Sequence, residues 1–202
     1  MKRVNFERQY WNQKAESKNV DSEMHDKEIS TEEEIDILFK DLDFAPKAIL
    51  EIGCGVGRLA IPTALKFSQA NVLGIDISEG LLNIAKNRAK NIEASVNNLG
   101  FQHTKGRKLP NDYQSDFIYA VTVFQHIDEG GIKAYISEVG KHLNKNGVFR
   151  FQFIEGNEHE PMSHHYQLDE VSKWLNMNDL VITKYDKGLI YQNWTWVTAK
   201  KL

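Results

Sequence analysis

The fold of this chain is decided by residues 48–60, which read Ala-Ile-Leu-Glu-Ile-Gly-Cys-Gly-Val-Gly-Arg-Leu-Ala. The stretch begins as an apolar run, which is typical of a central strand in a parallel sheet because both faces of such a strand are buried. Three glycines at alternate positions follow, and apolar residues then return at helical spacing, namely Leu59, Ala60, Ile61, Ala64 and Leu65. Strand, glycine turn and helix together predict the first unit of a nucleotide-binding α/β domain.

The spacing of the glycines indicates which class of ligand the turn binds. Gly53, Gly55 and Gly57 let the backbone turn sharply and let a ligand lie against it. A dinucleotide fingerprint reads G-x-G-x-x-G, but here Arg58 occupies the sixth position. The spacing therefore argues against a nicotinamide dehydrogenase. We keep this function as the third and least favoured of three hypotheses, and a nicotinamide fluorescence titration would test it.

Length and composition exclude several classes of protein. The chain has 202 residues, of which 41% are apolar and 26% charged, as in an ordinary soluble globular domain. A net charge of -3 argues against binding of long nucleic acids, and the single cysteine, Cys54, excludes an internal disulfide. Since we find neither an apolar run of membrane-spanning length nor a signal-peptide core, we expect a cytoplasmic protein without a membrane partner. The oligomeric state is not predicted.

Alternating elements predict a Rossmann-like α/β fold. We expect a mostly parallel seven-stranded sheet with one antiparallel strand and helices on both faces. The strands are predicted at the apolar run from residue 48 and at 71–75, 99–104, 116–123, 147–153, 181–186 and 194–200. Two helices are predicted to begin at capping residues: one runs from a Ser30 or Thr31 capping box to residue 41, and one follows a cap at Ser78. The other helices are predicted around 5–17, from the glycine turn to residue 69, around 132–143 and at 168–175. We expect residues 1–45 to form an N-terminal helical segment or lid and residues 46–202 the main domain.

Asp76 ends the predicted second strand and is the clearest single ligand candidate. Its two carboxylate oxygens match the two hydroxyls of a ribose, which are vicinal donors. The alternative is an ordinary aspartate that begins the next turn.

Four further segments strengthen a resemblance that begins in the glycine turn. Glu51-x-Gly53-x-Gly55-x-Gly57 resembles the first motif of class I S-adenosylmethionine-dependent methyltransferases. Other segments are similar to the family in order and spacing, namely 108–119, 121–127, 143–148 and 194–200. The resemblance covers residues 49–200 and implies S-adenosylmethionine as cofactor. It also implies transfer of a methyl group to a hydroxyl or amine of a small molecule such as a sugar, a metabolite or a natural-product intermediate.

The resemblance assigns roles to individual residues around the cofactor. It implies that Glu51 and the Gly53 backbone face the methionine portion of the cofactor, and that Gly55 and Gly57 give this portion room. It further implies that Asp76 holds the ribose and that Ile77 packs on the adenine. Thr122 and Val123 are expected to line the floor beneath the sulfonium. Lys105 departs from the family, since many members place an Asp or Asn there to accept the adenine amino group. A lysine cannot accept that hydrogen bond, so either backbone atoms around residues 104–106, including Gly106, or packing alone must hold the adenine.

Methyl transfer from a sulfonium needs an aligned acceptor and, for a hydroxyl, a base, but no metal. His126 follows the fourth strand and is the candidate base, and a structural histidine bonded to a backbone carbonyl is the alternative. Gln125 could orient the acceptor. His164 and His165 lie in a polar stretch, 155–167, that we interpret as a solvated loop, with contact to the acceptor as the alternative and no metal site.

Two questions stay open at the level of sequence. Tyr10 and Trp11 either close over the cofactor, with their ring faces towards its positive charge, or anchor an N-terminal helix. Arg58 either pairs with the cofactor carboxylate or is an exposed arginine.

The second functional hypothesis is a non-catalytic protein that binds S-adenosylmethionine and acts through a partner.

Overall fold

The computed structural model describes residues 2–21, 29–92, 96–160, 162–190 and 192–202. The chain divides into two compact units, Met1–Gly106 and Arg107–Leu202. The domain boundary that we placed between residues 45 and 46 stays a prediction.

The first unit contains a three-stranded parallel sheet. Its elements are α1 (Lys2–Ala15), α2 (Thr31–Phe39), β1 (Ala48–Ile52), α3 (Ala60–Lys66), β2 (Asn71–Asp76), α4 (Glu79–Lys90) and β3 (Leu99–His103). In this unit β2 pairs with β1, where Ile52 lies opposite Ile75, and with β3, where Asp76 lies opposite His103. Because the three strands are parallel, the loops that follow them all leave from the same edge of this sheet.

Local capping signals set the helix starts as predicted. The Ser30 hydroxyl accepts from the Glu33 N–H (3.2 Å) and the Glu33 carboxylate accepts from the Ser30 N–H (2.9 Å), which confirms the capping box. Ser78 caps α4 by accepting from the Leu81 N–H at 3.2 Å. The helix α2 ends at Phe39 and not at residue 41, because Lys40 with ψ 138° already leaves the helical conformation and Asp41 then turns left-handed with φ 65°.

The second unit is organised around the long strand β5. Its elements are β4 (Ser115–Ala120), α5 (Glu129–His142), β5 (Leu143–Glu155), β6 (His159–Glu160), β7 (Ser163–Tyr166), α6 (Leu168–Asn176), β8 (Leu180–Lys187) and β9 (Trp194–Lys201). β5 is parallel to β4 and β7 and antiparallel to β9, and β9 is in turn antiparallel to β8. β5 starts at Leu143, earlier than predicted, and its pairing with β4 is irregular between Leu143 and Val148, where Asn146 has φ 63°.

The predicted strand number is wrong, although the mostly parallel α/β architecture is confirmed. The described residues form nine strands and not seven. The two additional strands, β6 and β7, form an antiparallel hairpin inside the stretch 155–167 that we interpreted as a loop. In β7, His164 and Tyr166 point inward and are buried, but four polar residues are too few to give a recognisable alternation. Both β9 and β6 run antiparallel to their neighbours, where one such strand was expected.

Within the described ranges, no helix combines the length and the apolar character that a membrane crossing requires. The cytoplasmic location stays a prediction.

Arg58 has a partner that the sequence did not predict, and its pairing with a cofactor carboxylate stays a prediction. Its guanidinium forms an ion pair with the Glu34 carboxylate, and the two side chains are 14% and 1% exposed. The pair joins the segment after the glycine turn to α2. The interpretation of Arg58 as an exposed arginine is therefore wrong.

Replacing Glu34 by Ala should destabilise the fold, because the mostly buried Arg58 guanidinium then loses its counter-charge. We expect a loss of about 3 kcal/mol in the free energy of unfolding, measured by chemical denaturation. Asp36→Ala is the matched control, since Asp36 pairs with Lys66 (3.4 Å) from the same helix but in solvent, and its loss should cost at most about 1 kcal/mol. Equal losses for the two variants would contradict this account.

Candidate active site

The glycine turn after β1 closes onto the end of β2. Gly53, Gly55 and Gly57 all have positive φ, at 71°, 51° and 79°. The Gly53 N–H donates to the Ile75 carbonyl oxygen (2.8 Å), and the Gly55 N–H donates to Asp76 Oδ2 (2.8 Å). Asp76 Oδ1 accepts from the Ser78 N–H, also at 2.8 Å. The Asp76 carboxylate therefore joins the loops that follow two neighbouring strands.

Two of the glycines have different physical reasons to be glycine. A Cβ at Gly55 would meet no described atom within 4 Å, so the turn is open on that side. A Cβ at Gly57 would lie 3.2 Å from the side chains of Ala85, Ile61 and Phe101. The space beside Gly55 agrees with the predicted room for a cofactor, which stays a prediction. Gly57 is favoured both by its φ of 79° and by its close packing against side chains of α3, α4 and β3.

Burial determines the electrostatics of this turn. Asp76 is 7% exposed, and burial raises the pKa of its carboxyl group although the N–H donors of Ser78 and Gly55 lower it. Glu51 is also buried, at the end of β1. Burial, reinforced by the Asp76 and Glu51 carboxylates, raises the pKa of the Cys54 thiol well above its ordinary value. A thiol held protonated in this way is a poor nucleophile.

The loop after β3 is held by backbone contacts and by one arginine. The Thr104 N–H donates to the Asp76 carbonyl oxygen (2.9 Å), and the Thr104 hydroxyl donates to the Gly106 carbonyl oxygen (3.0 Å). Arg8 of α1 donates from Nη2 to the Lys105 carbonyl oxygen at 3.0 Å. The Lys105 side chain itself is exposed, and a Cβ at Gly106 would meet no described atom within 4 Å. These contacts suit the alternative in which backbone atoms hold the adenine, and that role stays a prediction.

Other predicted cofactor and lid residues lie in the same unit. Ile77 is half-buried between Asp76 and Ser78, and its carbonyl oxygen lies 3.1 Å from His103 Nε2. Tyr10 and Trp11 of α1 are both half-buried and pack edge to face with their ring centres 5.0 Å apart. Their closure over a cofactor stays a prediction.

In the second unit, β4 leads into a strained turn. Thr122 has φ 55°, and its hydroxyl donates to the Val121 carbonyl oxygen at 2.7 Å. Val123 precedes a 3₁₀ turn, Phe124–His126, which the buried Phe124 ring anchors against Phe151 with ring centres 5.3 Å apart. A left-handed threonine is costly, and such strain is found preferentially at functional sites. The predicted roles of Thr122 and Val123 are not tested by this geometry.

His126 makes the backbone hydrogen bond of the structural alternative, and its role as base stays a prediction. Its Nδ1 lies 2.7 Å from the Met162 carbonyl oxygen, so Nδ1 carries a proton and Nε2 is the proton-accepting atom of the neutral ring. Burial lowers the pKa of His126, and the bond to Met162 offsets this only in part. The imidazole is therefore neutral near pH 7.

Gln125 is an incompletely satisfied buried amide. It is 5% exposed, and within the described part of the chain its Oε1 has no hydrogen-bond partner. Buried polar atoms in proteins are nearly always bonded, so this oxygen favours an N–H or O–H donor. The geometry therefore agrees with contact to an acceptor, which stays a prediction.

The interpretation of His164 and His165 as solvated loop residues is wrong. His164 is buried on β7, and His165 is half-buried with Nδ1 3.9 Å from the Glu158 carboxylate. The hairpin is fixed to the segment after β4, because Tyr166 donates from its hydroxyl to the Ile127 carbonyl oxygen and Met162 accepts from His126. Among the residues that the structure describes, no group of three or more His, Cys, Asp or Glu could hold a metal ion.

Comparison with known proteins identifies the family. Residues 49–147 match the family described as a methyltransferase domain. The malonyl-[acyl-carrier protein] O-methyltransferase of Halalkalibacterium halodurans is 30% identical over 118 residues, which are 55% of this chain and 41% of that protein. The ubiquinone biosynthesis O-methyltransferase of Rickettsia akari is 29% identical over 100 residues, 50% of this chain and 37% of that protein. The matched segment is a methyltransferase domain, as the resemblance predicted.

Solved structures support the same fold for the methyltransferase domain. The magnesium protoporphyrin IX methyltransferase from Synechocystis PCC 6803 with bound SAH has a TM-score of 0.76 and 19% identity, covering 98% of this chain and 99% of that chain. A glycopeptide N-methyltransferase complexed with S-adenosylmethionine has a TM-score of 0.70 and 14% identity, and the match covers 85% of this chain and 94% of that chain. These structures share the fold of the chain, and the predicted methyltransferase domain is confirmed by the family match. S-adenosylmethionine as the cofactor of this chain stays a prediction. The chain spans about two fifths of the length of the two curated relatives named above.

Sequence reasoning missed four residues that hold loops within the two units. Arg8 and Asn12 contact the loops after β3 and β2, while Met162 and Tyr166 fix the segment after β4. Their partners are remote in sequence, so spacing alone carries no signal for them. The family match, which begins at residue 49, does not include α1 or the hairpin.

Gly55→Ala should weaken binding of S-adenosylhomocysteine more than it weakens the fold, because the added Cβ enters the open side of the turn. Gly57→Ala is the matched variant and should lower the free energy of unfolding by about 1–3 kcal/mol more than Gly55→Ala, since its Cβ meets packed side chains. Calorimetric titration and chemical denaturation of both variants measure the two effects. Unchanged affinity in Gly55→Ala would contradict the assignment of the turn.

Binding of S-adenosylhomocysteine should weaken with acidification at a pH above the usual range for an aspartate. Burial raises the pKa of Asp76, so the carboxylate that would accept the ribose hydroxyls is lost as the pH falls through that raised value. Asp76→Asn should bind weakly at pH 8 and show no such pH dependence, as measured by calorimetry between pH 8 and pH 5. A wild-type affinity that is constant over this range would contradict the assignment.

Proposed function

We propose that the chain transfers a methyl group from S-adenosylmethionine to a hydroxyl or amine of a small-molecule acceptor. The observation that carries this proposal is the open glycine turn closed by the buried Asp76 carboxylate. Gly55 leaves space beside the turn, and Asp76 offers two oxygens that already accept from Gly55 and Ser78 at 2.8 Å and have further lone pairs for a diol. The residues present thus fit the nucleoside of the cofactor.

The cofactor, when bound, supplies a methyl carbon made electrophilic by its sulfonium. In our proposal Asp76 binds the ribose, Glu51 and the Gly53 backbone face the methionine portion, and residues 104–106 contact the adenine. Thr122 and Val123 line the floor of the site. The main contribution of the protein is then to hold the reactants in an aligned geometry and to exclude water.

His126 is the proposed base for a hydroxyl acceptor. Its Nδ1 proton is committed to the Met162 carbonyl oxygen, so the acceptor proton would pass to Nε2 while the acceptor oxygen takes the methyl group. Gln125 would accept a hydrogen bond from the acceptor through Oε1, which has no partner in the described residues. A hydroxyl gains more than an amine from such a base, because a neutral amine already carries a reactive lone pair.

The named relatives support a small acceptor without selecting one. They include proteins named for a malonyl-[acyl-carrier protein], for ubiquinone biosynthesis, for magnesium protoporphyrin IX and for a glycopeptide. Both O- and N-methyltransferases occur among them by name. For this chain we therefore propose the acceptor only as a small-molecule nucleophile.

Turnover should follow the ionisation of His126. Formation of S-adenosylhomocysteine is measured against a panel of hydroxyl, amine and carboxyl acceptors from pH 5 to pH 9. With a hydroxyl acceptor kcat should rise with pH to a plateau, with a midpoint below the ordinary histidine pKa because burial lowers the pKa of His126. His126→Gln should lower kcat by about 100-fold or more and remove this dependence.

His159→Gln is the matched control, since His159 lies exposed in the hairpin and should leave the profile unchanged. Full activity of His126→Gln would contradict the role of base. Firm binding of S-adenosylhomocysteine without turnover of any acceptor would instead favour a cofactor-binding protein that acts through a partner.

A further inference from the structure

The N-terminal helix α1 is docked within the first unit by polar contacts as well as by apolar packing. Among its side chains Glu7 alone is fully buried, and the apolar Phe6 is exposed. Tyr10, Trp11 and Ala15 of α1 are half-buried, so apolar packing and polar contacts together position the helix. Hydrogen bonds from α1 reach the loops after β2 and β3, which the proposed function assigns to the nucleoside, and the first turn of α4.

The first contact runs from α1 to the ribose-binding acid through one serine. The Ser78 hydroxyl donates to Asn12 Oδ1 at 2.7 Å, and the Ser78 N–H donates to Asp76 Oδ1 at 2.8 Å. The Gly80 N–H also points to Asn12 Oδ1, at 3.5 Å. Gly80 is what lets α1 come this close, since a Cβ there would lie 2.7 Å from the Ala15 Cβ. Asn12 thus sets the position of the loop on which Asp76 depends.

The second contact fixes the backbone of the loop after β3. Arg8 donates from Nη2 to the Lys105 carbonyl oxygen at 3.0 Å, and its Nη1 donates to Asn5 Oδ1 at 3.3 Å within α1. Lys105 stands where an acceptor side chain for the adenine amino group is expected, and an ammonium cannot accept. Base recognition then depends on backbone atoms, whose positions depend on the contacts that hold this loop.

We propose that α1 positions both halves of the nucleoside site, with Asn12 acting on the ribose loop through Ser78 and Arg8 acting on the adenine loop through the Lys105 carbonyl oxygen. Arg8 is therefore a determinant of base selectivity, whereas Asn12 affects every ligand that contains the ribose. Both are positioning residues. This proposal rests on the proposed function, since it assumes that the nucleoside of S-adenosylmethionine binds at these loops.

The test compares calorimetric affinities for S-adenosylhomocysteine and its deaminated analogue, S-inosylhomocysteine, in which a carbonyl replaces the adenine amino group. Arg8→Met should weaken binding of the first ligand by about three- to tenfold and leave the second nearly unchanged, which corresponds to one net hydrogen bond. Asn12→Ala should weaken both ligands by a similar factor. Gln9→Ala, at an exposed position of the same helix, is the control and should change neither.

A second variant separates displacement of α1 from loss of the fold. Gly80→Ala removes no hydrogen-bonding side chain and favours the helix α4, yet it should push α1 away and weaken both ligands. Circular dichroism and thermal unfolding establish that each variant is folded. The proposal is overturned if folded Arg8→Met keeps the wild-type ratio of the two affinities, or if folded Asn12→Ala or Gly80→Ala binds both ligands as the wild type does. A wild-type chain that binds neither ligand would overturn the proposed function itself.

Discussion

One buried carboxylate ties the nucleotide-binding edge of the first unit together. Asp76 accepts from Gly55 in the glycine turn and from Ser78 at the start of α4, each at 2.8 Å. Removing a carboxylate from water costs free energy, and the raised pKa of Asp76 shows that its N–H donors do not offset that cost completely. The loops after β1 and β2 therefore have one common fixed point, and they are arranged around a group that still favours further donors.

The parts of this arrangement that were predictable are those encoded over short distances. The apolar run, the alternate glycines and Asp76 predicted β1, its turn and the end of β2, because period and spacing act within a few residues. The caps at Ser30 and Ser78 were predictable for the same reason. The close packing around Gly57 was not predictable, since its neighbours Ala85 and Phe101 come from other elements.

What could not be predicted depends on contacts between remote residues. Asn12 and Ser78 are 66 positions apart, and Arg8 and Lys105 are 97 apart, so neither pair leaves a local pattern. Arg58 was ambiguous because its partner, Glu34, lies on a separate helix. Strong local signals such as the glycine turn thus predict where a cofactor binds, while the residues that hold its loops require the tertiary structure.

The hairpin of β6 and β7 shows the same limit in the second unit. The sequence of residues 155–167 is polar and shows no clear hydrophobic periodicity. The hairpin nevertheless forms hydrogen bonds with the segment after β4, at both His126 and Ile127. The Met162 carbonyl oxygen thereby determines which nitrogen of His126 carries the proton, and burial keeps the ring neutral. A segment interpreted as solvated loop thus controls the protonation of the proposed base.

The most direct test of the central claim is a crystal structure of the chain with S-adenosylhomocysteine. We predict that both ribose hydroxyls lie within hydrogen-bonding distance of the Asp76 carboxylate and that the ligand passes over Gly55. A nucleoside bound away from β2, with Asp76 still contacting only Gly55 and Ser78, would contradict the account.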